Sequence, residues 1–451
     1  MLWILSVLHT IFVMGIVLGF MILVHEFGHF AVAKFFRVRV EVFSIGFGKR
    51  LLGFTKGDTD YRISAIPLGG YVKMSGENPM DERTGDAGEF LSHPRWQRFL
   101  IALAGPAMNV ALAVALLTGV YMAHYEYPAV LDEPTVVGWV SPNTPAERAG
   151  IQRGDKIVRV EDVENPNWEQ LEAKEMLSPN QPLRFGIERD GKVMEKVLVP
   201  EPFGPNEYGS VGWSPVESSV TLTMVERGMP ADKAGLKVGD QILTANGQEI
   251  PALAALVQLL NRTKEQPLEL VVLRNGEKRS FTVRPALVPG ASGQEPAYRI
   301  GIGRSIPTKV VKLNFSEALQ RSLSDNKKSS FLILELLQKM VRRKVSMRGV
   351  DGPIGIGSAV GEAAREKGWT PLLLITAAIS LNLGIMNLLP IPILDGGVIL
   401  LLFIEGLMQK EISLPIKERI YQAAFVFLVI FAVMVIYNDL VKTLPGLTRM
   451  P

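Results

Sequence analysis

The 451-residue chain carries His25-Glu26-Phe27-Gly28-His29, an H-E-x-x-H pattern, close to its N-terminus. On a helix, positions i and i+4 stand one above the other on the same face, so two imidazoles can grip one metal ion. Glu26 lies between them, placed to take a proton from a water that such a metal activates. The first Lys or Arg is Lys34, so His29 and His25 lie roughly 7 and 13 Å before it along a helix. A charged side chain at membrane depth costs at least about 2.5–3.5 kcal/mol on insertion scales and is usually paired and functional. A tetrahedral catalytic zinc takes three protein ligands and leaves one position for water. His9 and His124 lie toward the outer ends of apolar runs, and His93 falls in an interfacial stretch. The remaining third ligand is Asp395 in Leu394-Asp395-Gly396-Gly397, the only acid between Trp369 and Phe403. Its glycines allow a sharp turn; the competing use of Asp395 is to cap a half-helix starting at Gly396. The expected site is therefore Zn2+ on His25, His29 and Asp395, with Glu26 as general base.

Four apolar runs must position these residues: Leu2 to Val24, Leu100 to Ala123, Leu372 to Leu407 and Ile420 to Ile436. Each reaches the roughly 17 or more apolar residues that a membrane crossing takes, and the first spans a hydrocarbon core of about 30 Å. The third is interrupted by Asn382, Asn387, Pro390, Pro392 and Asp395, and broken backbone at that depth needs protein or a water-filled cavity around it. The first run has no preceding positive charge and exceeds a signal-peptide core, so a retained helix is expected. Lys34, Arg37, Arg39, Lys49 and Arg50 follow it, which places that flank in the cytoplasm and both termini outside. A formal net charge of +3 provides no basic field for nucleic acid. The absence of cysteine excludes disulfides, cysteine-bound zinc and thiol nucleophiles.

The polar middle repeats itself at a spacing of 85 residues. Pro145-Ala146, Ala149-Gly150 and Gly154-Asp155 recur as Pro230-Ala231, Ala234-Gly235 and Gly239-Asp240, and Arg189 and Gly191 recur as Arg274 and Gly276. Such agreement without a gap indicates duplication. Short apolar stretches between Gly and Asn turns read as strands. Val38, Val40 and Val42 alternate with charges, and Gly46-Phe47-Gly48 leads to a second run near Tyr61 to Val72, which reads as β-hairpins at the inner membrane face. Ser316 to Arg348 is helical in pattern with Ser316 as its cap. Its later part sets Phe331, Leu334, Leu337 and Val341 against basic residues, like a helix lying on an anionic membrane.

Residues 128–302 resemble tandem, circularly permuted bacterial PDZ domains. Such domains bind an extended peptide or a C-terminus by strand addition, or here serve only as a steric screen; both readings stand. The pair HEFGH plus NLLPIPILDGG resembles the site-2 protease family of intramembrane zinc metalloproteases. That resemblance implies His25, His29 and Asp395 as zinc ligands, Glu26 as base, and Asn387 and Pro390 at the substrate backbone. It also implies a membrane-reentrant β-structure around Gly46, Phe47 and Gly48, whose edge pairs with an unwound substrate or merely packs on the helices.

The implied fold is a multi-pass α-helical membrane protein of four transmembrane segments, the third discontinuous. Two tandem periplasmic PDZ domains (α/β, permuted type) and a cytoplasmic-face β-hairpin region complete it. The expected divisions are 1–33, 34–96, 97–125, 128–214, 215–302, 314–368 (amphipathic surface helices), 369–408 and 420–441. The implied reaction is peptide-bond hydrolysis in single transmembrane helices of pre-trimmed proteins in the bacterial inner membrane. Anti-sigma factors and remnant signal peptides are the implied substrates, and the lipid bilayer is the other partner. A rhomboid-like Gly290-Ala291-Ser292-Gly293 lies in a polar loop, and an aspartyl pair is absent. Two other readings are a PDZ adaptor with an inert metal motif and a transporter. The latter is disfavoured because the repeat is confined to the polar middle.

Overall fold

The computed structural model describes all residues except 1, 78–84, 124, 129–132, 205, 217–219, 289–295, 305–307, 367 and 444–451. His124 and the string 290–293 therefore lie outside the described residues. Contacts divide the chain into two units: residues 1–125, 311–333 and 351–437, and residues 126–310, 334–350 and 438–451.

In the first unit, α1 (Leu2–Phe35) is a continuous 34-residue helix with the H-E-x-x-H residues near its C-terminal end. It leads into two long antiparallel strands, β1 (Val40–Lys56) and β2 (Thr59–Met74). Both strands fold back on themselves. Val42 faces both Lys73 and Asp60, Ser44 both Tyr71 and Arg62, and Ile45 both Gly70 and Ile63. Residues 42–45 are thus flanked on both sides, while residues 70–74 form an outer run. The bend at Gly46 has φ of 90°, and a Cβ there would lie 2.6 Å from the Ile66 carbonyl oxygen. Only glycine fits that corner.

Helix α2 (Arg95–Ala123) packs against α1 through small residues. A Cβ on Gly28 would meet the Ala104 carbonyl oxygen at 2.4 Å, so the two backbones approach as small-residue membrane interfaces allow. The third apolar run is split into α9 (Thr370–Asn387) and α10 (Asp395–Met408). Between them Ile393 has φ of 93°, a strained value for a β-branched residue. The last helix, α11 (Leu414–Thr443), begins six residues before the expected run. Among the described residues, four helices are long and apolar enough to cross a membrane: Leu8–Phe35, Arg95–Ala123, Thr370–Asn387 and Leu414–Lys442.

Helix α7 (Phe315–Val341) corrects two expectations. Its cap is Asn314, not Ser316: the Glu317 amide donates to Asn314 Oδ1 at 3.0 Å, and the Asn314 amide donates to Glu317 Oε2 at 3.3 Å. Its first half does not lie on a surface. Ala318 and Ser322 are fully buried, Ser322 Oγ donates to the Val114 carbonyl, and Tyr121 donates to Asp325. Short side chains let α7 seat on α2 there; the exposed Phe331 and Leu334 belong to the later half. Helix α8 (Pro353–Ala363) likewise packs on α1, with Gly361 against Thr10 and Val360 buried beside Val17 and Met21.

The second unit holds the repeats. Helices α3 (Pro145–Arg148) and α4 (Trp168–Met176) return 85 residues on as α5 (Pro230–Lys233) and α6 (Leu253–Thr263). Strands Lys156–Val160, Leu183–Arg189 and Lys192–Leu198 likewise return as Gln241–Ala245, Leu268–Arg274 and Glu277–Val283. Each repeat has its own apolar core, around Trp168, Phe185 and Ile187 in the first and Leu256, Leu268 and Leu270 in the second. Each also has the same ion pair. Arg189 Nε lies 2.6 Å from Asp155 Oδ1, and Arg274 Nε lies 2.6 Å from Asp240 Oδ1, both aspartates being 1% exposed.

Candidate active site

The C-terminal turns of α1 bring His25 and His29 onto one face, and the N-terminus of α10 brings Asp395 to them. His25 Nε2 lies 3.1 Å from Asp395 Oδ2, His29 Nε2 lies 3.4 Å from Asp395 Oδ1, and the two Nε2 atoms are 3.2 Å apart. Zinc bonds of about 2.0–2.1 Å to N and O ligands imply ligand–ligand edges of roughly 3.3 Å in a tetrahedron. The three donors therefore fit zinc in kind and in spacing. They are the one group of three or more metal-type side chains brought together among the described residues. Asp395 makes no side-chain cap to α10; Leu394 occupies the N-cap position. Its carboxylate is directed to the histidines instead.

The imidazoles are held from behind. His29 Nδ1 lies 2.8 Å from the Ile101 carbonyl oxygen, to which only a protonated Nδ1 can donate, leaving Nε2 as the free lone pair. His25 Nδ1 lies 3.2 Å from Asn109 Nδ2, while Asn109 Oδ1, fully buried, has no hydrogen-bond partner. The two ends of an amide are interchangeable by a half-turn. Turned over, Asn109 Oδ1 gains the His25 Nδ1–H as donor, and His25 Nε2 becomes a ligand lone pair like that of His29. The orphaned oxygen thus fits a site built for metal. Ser380 Oγ donates to the Asn109 carbonyl at 2.8 Å, tying α9 to the same place. Gly105 provides the clearance, since a Cβ there would lie 2.3 Å from His29 Nε2 and 2.8 Å from His25 Nε2.

Glu26 is set by the sheet: the Val72 amide donates to its Oε2 at 3.0 Å. A cavity of about 410 Å3 joins His25, Glu26, His29 and Asp395 to Tyr71, Val72 and Asn387. Its far end holds Glu405 and Lys417, both buried and 2.7 Å apart, together with buried Arg98. Asn387 is therefore brought to the four chemical residues. Gly46, Phe47 and Gly48 are not among the residues that line the cavity; the Phe47 ring stacks on the lining Tyr71 at 5.9 Å. Pro390 lines a separate apolar groove with Trp96, Leu388 and Phe403. Sequence reading missed Gly105, Asn109 and Val72. A polar Asn inside an otherwise apolar run was the available signal for Asn109; an amide of a strand carries no signal at all.

Residues 13–431 match peptidase family M50. A protein of Vibrio cholerae serotype O1 named "Putative zinc metalloprotease" is 32% identical over 464 residues, covering 95% of this chain and 97% of that protein. "Regulator of sigma E protease" of Haemophilus influenzae is 30% identical, covering 95% and 97%. "Protease RseP" of Yersinia pestis is 31% identical, covering 96% and 99%. The PDZ domain of an SdrC-like protein from Listeria monocytogenes aligns with 20% of the chain at 15% identity and a TM-score of 0.17, a likeness too weak to bear on the fold. The chain belongs to peptidase family M50 and is a site-2-type metalloprotease of the membrane.

Proposed function

We propose that the protein hydrolyses peptide bonds in single transmembrane helices of pre-trimmed membrane proteins, with zinc held by His25, His29 and Asp395. The observation that carries this is the convergence of three donor atoms, 3.1–3.4 Å apart, beside a glutamate fixed by a strand amide. Zinc, when bound there, would supply Lewis-acid polarisation of the carbonyl and lower the pKa of a water toward about 7.

Glu26 takes the proton of the attacking water and returns it to the leaving amine. The Val72 N–H keeps one carboxylate oxygen pinned, so the other faces the cavity. A helical substrate hides each amide in its own i to i−4 bond and must unwind first. The β-structure that carries Val72 lies beside the cavity, and its edge beyond the engaged Val72 and Met74 amides offers unwound substrate backbone a strand to pair with. Asn387, half-buried on the cavity wall, has an amide that both donates to and accepts from that backbone.

The same reading places the protein in a bacterial inner membrane, with residues 128–214 and 215–302 as PDZ domains on the periplasmic side. The names of the Haemophilus and Yersinia relatives support an anti-sigma factor as substrate, with remnant signal peptides as a second class. The repeats would hold back substrates that still carry a bulky outer domain.

The test is cleavage of a single-span substrate by purified protein in detergent, comparing wild type, Glu26→Gln and chelator-treated wild type. Cleavage by untreated wild type alone supports the reading, with a loss of about 10²–10⁴-fold for Glu26→Gln. Equal cleavage by Glu26→Gln overturns it and favours the adaptor. Deleting residues 128–302 should let untrimmed substrates be cut; unchanged discrimination would remove the screening role.

A further inference from the structure

Buried carboxylates in the repeats are of two kinds. Asp155 and Asp240 are saturated by arginine and by backbone amides, and both repeats have one. Glu175 is different. It sits on the last turn of α4, only 5% exposed, and among the described residues it pairs with no arginine or lysine. Its partners are the loop after strand Tyr208–Ser210: the Val211 amide donates to Oε2 at 3.3 Å and the Trp213 indole N–H to Oε1 at 2.8 Å. The neighbouring Gly212 amide donates to Ser210 Oγ. The loop is pressed on the helix end, where a Cβ on Gly209 would lie 2.2 Å from the Glu175 carbonyl oxygen.

The second repeat shows that this fold does not need a carboxylate there. Ala146 N–Val211 O and Ser141 N–Gly212 O bonds are matched by Ala231 N–Ile300 O and Glu226 N–Gly301 O, all 2.8–2.9 Å. Val211, Gly212 and Trp213 therefore correspond to Ile300, Gly301 and Ile302. Position 175 corresponds to Leu260, 4% exposed within the second core. A leucine builds the same corner, and burying a carboxyl in its place costs free energy that the two hydrogen bonds only partly offset. Burial pushes the Glu175 carboxyl up to about 8 against the pull of the Trp213 and Val211 N–H groups, with Glu172 adding to the rise. Clustered loop N–H groups are also what captures the α-carboxylate of a chain end in peptide recognition.

We propose that the Val211–Trp213 loop of the first repeat is a carboxylate-binding site whose resident occupant is Glu175, so that a free chain terminus binds there only by displacing it. The first repeat is thus held closed by its own side chain. This rests on the PDZ resemblance and not on the protease chemistry, and its test reads binding without cleavage, so an inactive protease leaves it intact.

The experiment uses the full chain in detergent and a pool of fluorescent peptides ending in Val, Ala or Leu with a free carboxylate and carrying a photo-cross-linker. An amide-capped pool is the control, and cross-links are mapped to residues 168–176 or 253–263. In Glu175→Leu, which keeps the corner filled as Leu260 does, half-maximal cross-linking at 168–176 should need at least tenfold less free-carboxylate peptide than in wild type. The amide-capped pool should gain nothing. Glu175→Gln, which keeps one accepting oxygen, should fall between. Trp213→Phe placed in the Glu175→Leu background, removing one of the two donors the site offers a carboxylate, should give back part of that gain. Equal cross-linking in wild type and Glu175→Leu, none in either, or an equal gain for amide-capped peptides overturns the proposal.

Discussion

The paired aspartates of the repeats and the His25–His29–Asp395 group of the membrane unit bury charge in opposite ways. In the repeats, Asp155 and Asp240 each take two bonds from an arginine and one from a backbone amide, so their oxygens are filled and face nothing else. In the membrane unit, His25, His29 and Asp395 point at one another across an open cavity, and their supports come from behind. Buried charge is therefore chemical where lone pairs are left facing a shared space, and structural where both carboxylate oxygens are engaged. Glu175 stands between the two cases, satisfied but by groups that another carboxylate could use.

That contrast can be broken from either side. Asp240→Ala should destabilise the second repeat by about 3 kcal/mol, because it strands a guanidinium that is only 14% exposed. Hydrogen exchange of strand Leu268–Arg274 would show it, with the bound metal content unchanged; loss of metal would refute the division of roles. Gly105→Ala should lower cleavage by about 10²-fold, since misplacing reacting groups by an ångström costs that much. Metal analysis should show the loss at the same time.

Asn109→Leu, which removes the support of His25, should weaken zinc binding by about 10–100-fold in competition with a chelator. An unchanged affinity would mean that the orphaned Asn109 oxygen has no part in the site. The smallest effect concerns pH. Glu175 rises from an ordinary value near 4.5 to about 8 in the folded repeat. Its contribution is therefore complete below about pH 4.5 and is lost as pH rises from there through about 8, by at most about 1.4 kcal/mol per unit. For Asp155 and Asp240, burial works against ionisation, but the arginines and backbone amides outweigh it and hold both below the usual carboxylate range. Their contribution is present above about pH 4 and is lost as pH falls through the depressed values. Protection factors of the first repeat, which divide out the intrinsic pH dependence of exchange, should therefore fall on both sides of a mid-acid optimum, and Glu175→Gln should remove only the alkaline fall.

Much of this was legible in the sequence because its rules are local. The i, i+4 spacing of His25 and His29 sets their common face on any helix, apolar run length sets membrane-crossing capacity, and the 85-residue repeat announces duplicated elements whatever their fold. Asp395 could be chosen by elimination because ionisable groups in such runs are few. Where local patterns competed, reading failed. Ser316 and Asn314 are both good caps, and only the path of the chain into α7 selects Asn314. The amphipathic stripe of α7 is real, yet its short buried residues seat it on α2.

What tertiary structure alone decided are contacts between residues far apart in the chain. Val72 reaches Glu26 across 46 positions, Asn109 reaches His25 across 84, and Gly105 leaves room for both imidazoles. The Glu175 contact belongs to the same class, since nothing in α4 foretells that its last glutamate meets a loop 36 residues on. A sequence states which groups a chain owns and which neighbours lie within a turn or a strand. Which distant lone pairs are filled and which are left open depends on how backbones close on each other, and that is settled only when the whole chain packs.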